Sequence, residues 1–95
     1  GLRDTALREL EEETGICDAV VIGTWSQTTQ YTYSRRGSKR EKQVHWFPAK
    51  TKTFDVTLSH EHTDYMWVEV DEAIDWITFT EEKVILQGAR QILGI

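Results

Sequence analysis

The first sixteen residues contain the pattern that most constrains the fold. Apolar side chains recur there at intervals of three and four residues, which predicts a helix from Leu2 to Thr14. The apolar positions are Leu2, Ala6, Leu7 and Leu10. Gly15 follows directly, and a glycine at that position takes the left-handed conformation that commonly ends a helix. We therefore expect the helix to stop at Gly15.

Three glutamates of this helix lie within a sector of about 100°, because they are spaced by three and four residues. They are Glu9, Glu12 and Glu13, whereas Glu11 points elsewhere. Glu13 projects towards the side that the helix buries, where a carboxylate needs a cation or hydrogen bonds to compensate its charge. Magnesium prefers such oxygen ligands and bridges to phosphates. The cluster predicts a metal site, and the alternative is a solvated acidic face of a surface helix.

The rest of the chain alternates between strand-like and helix-like patterns. Strands are predicted at Ala19 to Trp25, Gln27 to Tyr33, Gln43 to Ala49 and Tyr65 to Val70, with a polar loop from Ser34 to Lys42 inside a hairpin. Asp71 to Trp76 is predicted as one or two helical turns, and Thr80 as the N-cap of an amphipathic C-terminal helix. This order of elements indicates the α+β class.

Charge is unevenly distributed along the chain. The formal net charge is -5, which argues against wrapping of duplex nucleic acid. One stretch is nevertheless strongly basic and contains Arg35, Arg36, Lys39, Arg40 and Lys42. This segregation suits a site that binds a metal and a polyanion together; the alternative for the basic stretch is a solvated hairpin tip.

Cys17 is the only cysteine, so the chain has no internal disulfide and no cysteine-rich zinc site. No apolar run approaches the roughly 20 residues that span a bilayer, and no secretory signal pattern is present. We expect one soluble, cytoplasmic domain of 95 residues with no membrane association.

Residues 8 to 16 carry a motif. They read Arg-Glu-Leu-Glu-Glu-Glu-Thr-Gly-Ile and match every fixed position of REUxEExGU, the second half of the Nudix box, where U is aliphatic. The chain thus resembles a Nudix hydrolase. The resemblance implies a metal set of Glu9, Glu12 and Glu13 that binds magnesium, with manganese as the alternative ion, and it implies that Arg8 orients these glutamates.

A second match lies downstream. The run Leu58-Ser59-His60-Glu61-His62, followed by Tyr65-Met66-Trp67, resembles the asymmetrical diadenosine tetraphosphate hydrolases of that superfamily. The resemblance implies that Glu61 is a further metal ligand or base. The alternatives are a polar turn before a strand and a small metal site that uses the two histidines.

Substrate contacts are expected on the hairpin. In the resembling hydrolases an aromatic residue and a lysine near this hairpin bind substrate; Tyr33 and Lys42 are the positional matches, and Arg40 is a third candidate. Tyr33 is alternatively a core or cross-strand residue. Trp25, Trp67 and Trp76 are expected in the core.

The resemblance implies an α/β/α sandwich in which helices flank a mixed sheet, with residues 1–95 forming a single, partial Nudix domain. The full box is Gx5Ex7REUxEExGU, and its opening glycine and first glutamate would precede Gly1. We therefore expect a domain that lacks its N-terminal strands, either because the chain is shortened or because a second copy completes the sheet in a homo-oligomer.

The function implied is magnesium-dependent hydrolysis of a phosphoanhydride in a nucleoside polyphosphate, of the diadenosine tetraphosphate type. Three alternatives stay open. They are a pyrophosphohydrolase acting on another nucleotide or on an RNA 5' end, a catalytically impaired nucleotide-binding or assembly module, and a purely structural acidic helix.

Overall fold

The computed structural model describes residues 1–95, which form three helices and two small sheets. In chain order the elements are α1 (Leu2–Thr14), β1 (Val20–Val21), β2 (Gln27–Arg35), β3 (Ser38–Trp46), β4 (Ala49–Lys50), α2 (Val70–Trp76) and α3 (Thr80–Leu93). The predicted α+β class is confirmed. Both sheets are two-stranded and antiparallel, so the parallel pairs expected of a mixed sheet do not occur among these residues.

Helix α1 has the predicted bounds, and Gly15 caps it with a φ of 77°. The Gly15 N–H donates to the Glu11 carbonyl at 2.8 Å. Thr14 reinforces this end, because its hydroxyl donates to the Leu10 carbonyl at 2.6 Å and accepts the Ile16 N–H at 3.2 Å. Local chemistry therefore terminates the helix directly after its glutamates.

The predicted hairpin is present, but the loop predicted from Ser34 to Lys42 is wrong. Strands β2 and β3 run on to a two-residue turn at Arg36 and Gly37, whose φ angles are 52° and 77°. Positive φ at both central residues characterises the turn that matches the twist of a two-residue hairpin. The outer strands are solvated on both faces, so their polar composition resembles that of a loop.

The second sheet pairs Val20–Val21 with Ala49–Lys50 and is shorter than the strands predicted there. Strand β3 ends at Trp46, just before Pro48, which has no N–H for a ladder. The Pro48 carbonyl accepts the Ile22 N–H at 2.9 Å. The proline thus separates the long hairpin from the short sheet.

The strand predicted from Tyr65 to Val70 is also wrong. The segment has no strand partner, and Val70 begins α2. The Trp67 indole instead donates to the Phe54 carbonyl at 3.0 Å, and the two rings meet edge to face at 5.3 Å. A strand requires a neighbour for its backbone hydrogen bonds, and none of the 95 residues supplies one here.

The expectation that three tryptophans lie in the core fails for two of them. Trp67 is 50% exposed and Trp76 is 62% exposed, while Trp25 is half-buried. A Cβ at Gly88 would lie 3.2 Å from the Trp25 ring, so α3 approaches that ring closely. Trp25 therefore packs against α3, whereas the other two tryptophans do not become core residues.

Helices α2 and α3 form one packed pair. Arg90 donates to Asp71 at 2.8 Å, and the Lys83 ammonium donates to the Ile74 carbonyl at 2.6 Å. Helix α3 begins at Thr80, with Phe79 at the N-cap position and no side-chain cap, so the prediction of Thr80 as the N-cap is off by one residue. No helix has the length and apolar character needed to cross a membrane.

The interior of the domain is small. Ile16, at 4% exposure, is the only fully buried residue of the 95. The accessible surface is 7766 Å², about 2,100 Å² more than the roughly 5,700 Å² of a typical folded monomer of this mass. Many large apolar side chains are therefore exposed. A homo-oligomer that completes the sheet stays a prediction.

Candidate active site

The end of α1 is joined to a distant segment by two backbone hydrogen bonds. The Thr57 N–H donates to the Thr14 carbonyl at 2.9 Å, and the Ser59 N–H donates to the Glu13 carbonyl at 3.0 Å. A helix leaves its last four carbonyls without intrahelical partners, and these two bonds satisfy two of them. The loop at residues 57–59 therefore lies directly against the last turn of the glutamate helix.

Glu61 lies in a tight turn that continues from this junction. The His62 N–H donates to the Ser59 carbonyl at 3.1 Å, and the Ser59 hydroxyl lies 3.3 Å from Nδ1 of His62. Glu61 is exposed within the turn. The alternative of a polar turn thus describes the local backbone, and that turn begins at the residue hydrogen-bonded to Glu13.

The glutamates of α1 have different environments. Glu13 is half-buried, whereas Glu9, Glu11 and Glu12 are exposed. This agrees with the direction predicted for Glu13 from the helical spacing. Residues four apart on a helix have Cβ atoms about 5–6 Å from one another, so Glu9 and Glu13 are neighbours on one ridge.

Arg8 contacts Glu12, with Nε 3.8 Å from Oε1. Both side chains are 65% exposed, so the pair contributes little to folding. The contact keeps the positively charged guanidinium of Arg8 beside the outer edge of the glutamate cluster. The orienting role expected for Arg8 stays a prediction.

The side chains near the end of α1 have the chemistry that a hard divalent cation requires. Carboxylate oxygens on adjacent helical turns, with a further carboxylate on the adjoining turn, are the ligands that magnesium and manganese favour. No three acidic, histidine or cysteine side chains converge in this conformation as a ready metal cage. Magnesium typically uses only one or two protein carboxylates and keeps several waters, so the donor chemistry fits although a full cage is not formed.

The predicted substrate residues lie on the strands of the hairpin and not in its turn. Tyr33 is directly opposite Arg40, and Lys42 is directly opposite Tyr31. Side chains of opposite residues in an antiparallel pair share one face, so the three predicted residues lie on the same side of the hairpin. Tyr33 is 41% exposed, which excludes the core alternative and leaves it as a cross-strand residue.

Asp18 is a structural residue of this region that the sequence patterns did not indicate. Its carboxylate accepts hydrogen bonds from the Thr51 hydroxyl at 2.5 Å, the Lys52 N–H at 2.9 Å and the Thr53 hydroxyl at 2.9 Å. These bonds, that from Thr51 foremost, lower the pKa of Asp18 to about 2. A lone aspartate and two threonines more than 30 residues apart form no recognisable motif, so only the fold reveals this anchor.

A hydrophobic cavity of about 320 Å³ separates α1 from the β1–β4 sheet. Its walls are Ala6, Leu7, Leu10, Ile16, Ala19, Val21, Phe47, Ala49, Thr51 and Trp67. The lining has almost no polar groups that would fix a polar ligand, so the cavity is incompletely filled interior.

The chain is similar to known proteins of one family. The family model described as NUDIX domain matches residues 1–87. The chain is 39% identical over 92 residues to an asymmetrical bis(5'-nucleosyl)-tetraphosphatase of Rattus norvegicus, covering 95% of this chain and 61% of that protein. A protein of the same description from Sus scrofa is 36% identical over 94 residues, covering 94% of this chain and 60% of that protein. One from Mus musculus is 34% identical over 94 residues, covering 95% of this chain and 61% of that protein. The chain thus spans about three fifths of the length of these curated relatives.

Proposed function

The chain belongs to the Nudix domain family, and on that premise we propose that it hydrolyses a phosphoanhydride bond of a nucleoside polyphosphate. The substrate class proposed is a dinucleoside polyphosphate of the diadenosine tetraphosphate type. The observation that carries the proposal is the junction of α1 with the Ser59–His62 turn. It brings the segment of Glu61 beside the helix of Glu9 and Glu13, although Glu61 is 48 positions from Glu13 and 52 from Glu9 in sequence.

The protein groups divide the work as follows. Glu9 and Glu13 would hold the cation, and Arg8, which contacts Glu12, would restrain that glutamate at the edge of the cluster. A bound divalent ion supplies neutralisation of the phosphate chain and a lowered pKa for coordinated water. Glu9 and Glu12 are exposed, so an ion held there would be accessible to substrate phosphates.

The bond change is a displacement at phosphorus. A water oxygen bonds to phosphorus, the bridging anhydride oxygen departs with the leaving phosphate, and the water proton passes to a glutamate. Glu61 and Glu9 are the two candidate bases. Asymmetric cleavage of a dinucleoside tetraphosphate yields one nucleoside monophosphate and one nucleoside triphosphate.

Substrate binding is assigned to the hairpin face that carries Tyr33, Arg40 and Lys42. The two cations attract phosphate, and the half-exposed tyrosine ring offers a surface for a base. None of these cations is engaged by a carboxylate in an ion pair. They are therefore available to an anionic substrate without breaking an internal contact.

Glu13→Gln tests the site, with Glu11→Gln as the matched control. Both substitutions remove one carboxylate charge from α1, and Glu11 lies on a different side of the helix. With magnesium and diadenosine tetraphosphate, Glu13→Gln is expected to lower kcat by about 100-fold or more, while Glu11→Gln stays within about twofold. Equal rates for the two variants would contradict the metal site.

Product analysis tests the reaction itself. Equimolar AMP and ATP are expected from diadenosine tetraphosphate. Two molecules of ADP would contradict asymmetric cleavage, and binding without turnover would instead identify a nucleotide-binding module. Faster turnover of another nucleotide or of 5'-triphosphorylated RNA would reassign the substrate within the same chemistry.

A further inference from the structure

The hairpin sorts its side chains by face. Successive residues of a strand point to opposite sides, and residues opposite one another across the ladder point to the same side. The measured register therefore sets one face, the aromatic-basic face, which carries Tyr31, Tyr33, Arg35, Arg40 and Lys42. The other face carries Thr32, Ser34, Lys39, Glu41 and Gln43.

The two faces differ in charge. The aromatic-basic face has three cations and no acid, whereas Lys39 and Glu41 cancel on the other face. Glu41 is also occupied there by the Gln30 amide, which donates to it at 3.0 Å. No basic side chain of the hairpin forms an ion pair. One face of a protein with net charge -5 is thus an uncompensated positive surface.

The aromatic residues of this face are accessible. Tyr31 is 47% exposed and Tyr33 is 41% exposed, with ring centroids 6.2 Å apart and planes inclined by 48°. They do not stack face to face on each other, so each ring keeps a surface for another π system. Aromatic rings interleaved with cations on a sheet are the combination that binds unpaired bases together with their backbone phosphates.

The aromatic-basic face ends at a cavity of about 480 Å³ between the hairpin and the start of α3. Tyr31, Val44 and Trp46 line it from the hairpin, and Phe79, Glu81 and Glu82 line it from the other side. The two carboxylates repel phosphate and accept hydrogen bonds from base amino groups. The cavity is therefore suited to bind a nucleobase, and the basic part of the hairpin beyond it is suited to bind phosphates.

From this arrangement we propose that the aromatic-basic face binds a single-stranded oligonucleotide. Bases stack on Tyr31 and Tyr33, and Arg35, Arg40 and Lys42 neutralise the backbone. The proposal goes beyond the hydrolysis proposed above: it shares Tyr33, Arg40 and Lys42 with that site, but it requires neither the glutamates nor a metal. RNA and DNA both offer the required bases and phosphates.

The test measures binding of fluorescent ten-residue adenine oligonucleotides, as RNA and as DNA, to the 95-residue protein in EDTA. Arg40→Gln and Lys39→Gln form the matched pair, because each removes one cation from β3 and they lie on opposite faces. Arg40→Gln is expected to weaken binding about fivefold or more and to reduce the slope of log K against log salt by about 0.7. Lys39→Gln is expected to change affinity by less than about twofold. Equal losses for the two variants would overturn the proposal.

Stacking is tested by Tyr31→Ala and Tyr31→Phe. The alanine variant is expected to lose about fivefold or more in affinity, whereas phenylalanine, which keeps the ring and the hairpin packing, is expected to bind as the unchanged protein does. Two results would show that charge alone determines binding and would overturn the proposal. In one, inorganic polyphosphate of similar charge competes as well as the oligonucleotide does. In the other, a duplex binds as tightly as the single strand. The relative affinities for RNA and DNA identify which source is preferred.

Failure of the proposed oligonucleotide binding can be distinguished from failure of the proposed hydrolase activity. Glu13→Gln is expected to bind the oligonucleotide normally in EDTA, because Glu13 lies on α1 and not on the hairpin. An active hydrolase that does not bind oligonucleotides would overturn only the present inference. Oligonucleotide binding by a protein that does not hydrolyse nucleotides would overturn only the proposed activity.

Discussion

The end of α1 and the β2–β3 hairpin carry the two groups of predicted site residues, yet they are built in opposite ways. The α1 end depends on contacts between residues more than 40 positions apart, and it adjoins the one fully buried side chain, Ile16. The hairpin depends on pairs close in sequence around a two-residue turn, and its outer half is solvated on both faces. Loss of the tertiary contacts should therefore disrupt the carboxylate site. The basic face should be lost only when the hairpin itself unfolds.

The substitution expected to have the largest effect on stability is Ile16→Ala. It removes the only fully buried side chain and should lower the free energy of unfolding by about 2–4 kcal/mol. Urea unfolding measures the change. Ile92→Ala is the control, because Ile92 is 60% exposed and should change stability by about 0.5 kcal/mol or less. Equal losses for the two variants would mean that the α1 end is not the stability centre.

A pair of glycine substitutions separates the two regions directly. Gly15 and Gly37 both have a φ of 77°, and an added Cβ meets no severe contact at either position. Alanine should therefore cost about 1–2 kcal/mol at each, from backbone conformation alone. Gly15→Ala should lower the hydrolysis rate while oligonucleotide binding is retained, and Gly37→Ala should weaken oligonucleotide binding. Loss of oligonucleotide binding in Gly15→Ala would show that the two regions are coupled.

Acid should weaken the Asp18 anchor in a defined range of pH. The folded-state pKa of Asp18 is lowered from 3.8 to about 2, so its stabilising contribution is complete above pH 3.8 and is lost as the pH falls towards 2. The difference in melting temperature between the unchanged protein and Asp18→Asn should be present at pH 6 and should shrink at pH 2. A difference that is the same at both pH values would argue against ionised Asp18 as the anchor.

The smallest effect on stability is expected for Arg8→Gln. Its ion pair with Glu12 is long and exposed, so the loss should be about 0.5 kcal/mol or less by urea unfolding. If Arg8 also orients the glutamates, kcat should fall while stability is retained. Unchanged kcat would remove Arg8 from the site without affecting the roles of Glu9 and Glu13.

Much of this molecule was predictable from local patterns. Helix α1 and its Gly15 cap were predicted with the observed bounds, because helical spacing and a left-handed glycine act within a few residues. The direction of Glu13 followed from the same geometry. The existence of the hairpin was also predicted, but its outer strands were mistaken for a loop because solvated strands lack an apolar alternation.

The remaining differences between prediction and structure depend on whether a distant residue contacts the segment concerned. Tyr65 to Val70 has the alternation of a strand, but no neighbouring strand pairs with it. Trp67 and Trp76 have core-like sequence surroundings, but they stay 50% and 62% exposed. Asp18 has no local signal, because its three donors lie more than 30 residues away.

The sequence alone determined the first helix, the placement of its glutamates and the family, since a helical motif of nine residues carries its own spacing and its own stop signal. The tertiary structure decided that the Glu61 turn joins the end of that helix and that the tyrosines and cations of the hairpin share one face. The physical reason is that helical geometry acts over a few residues, whereas unpaired carbonyls and strand register are satisfied by whichever distant backbone reaches them.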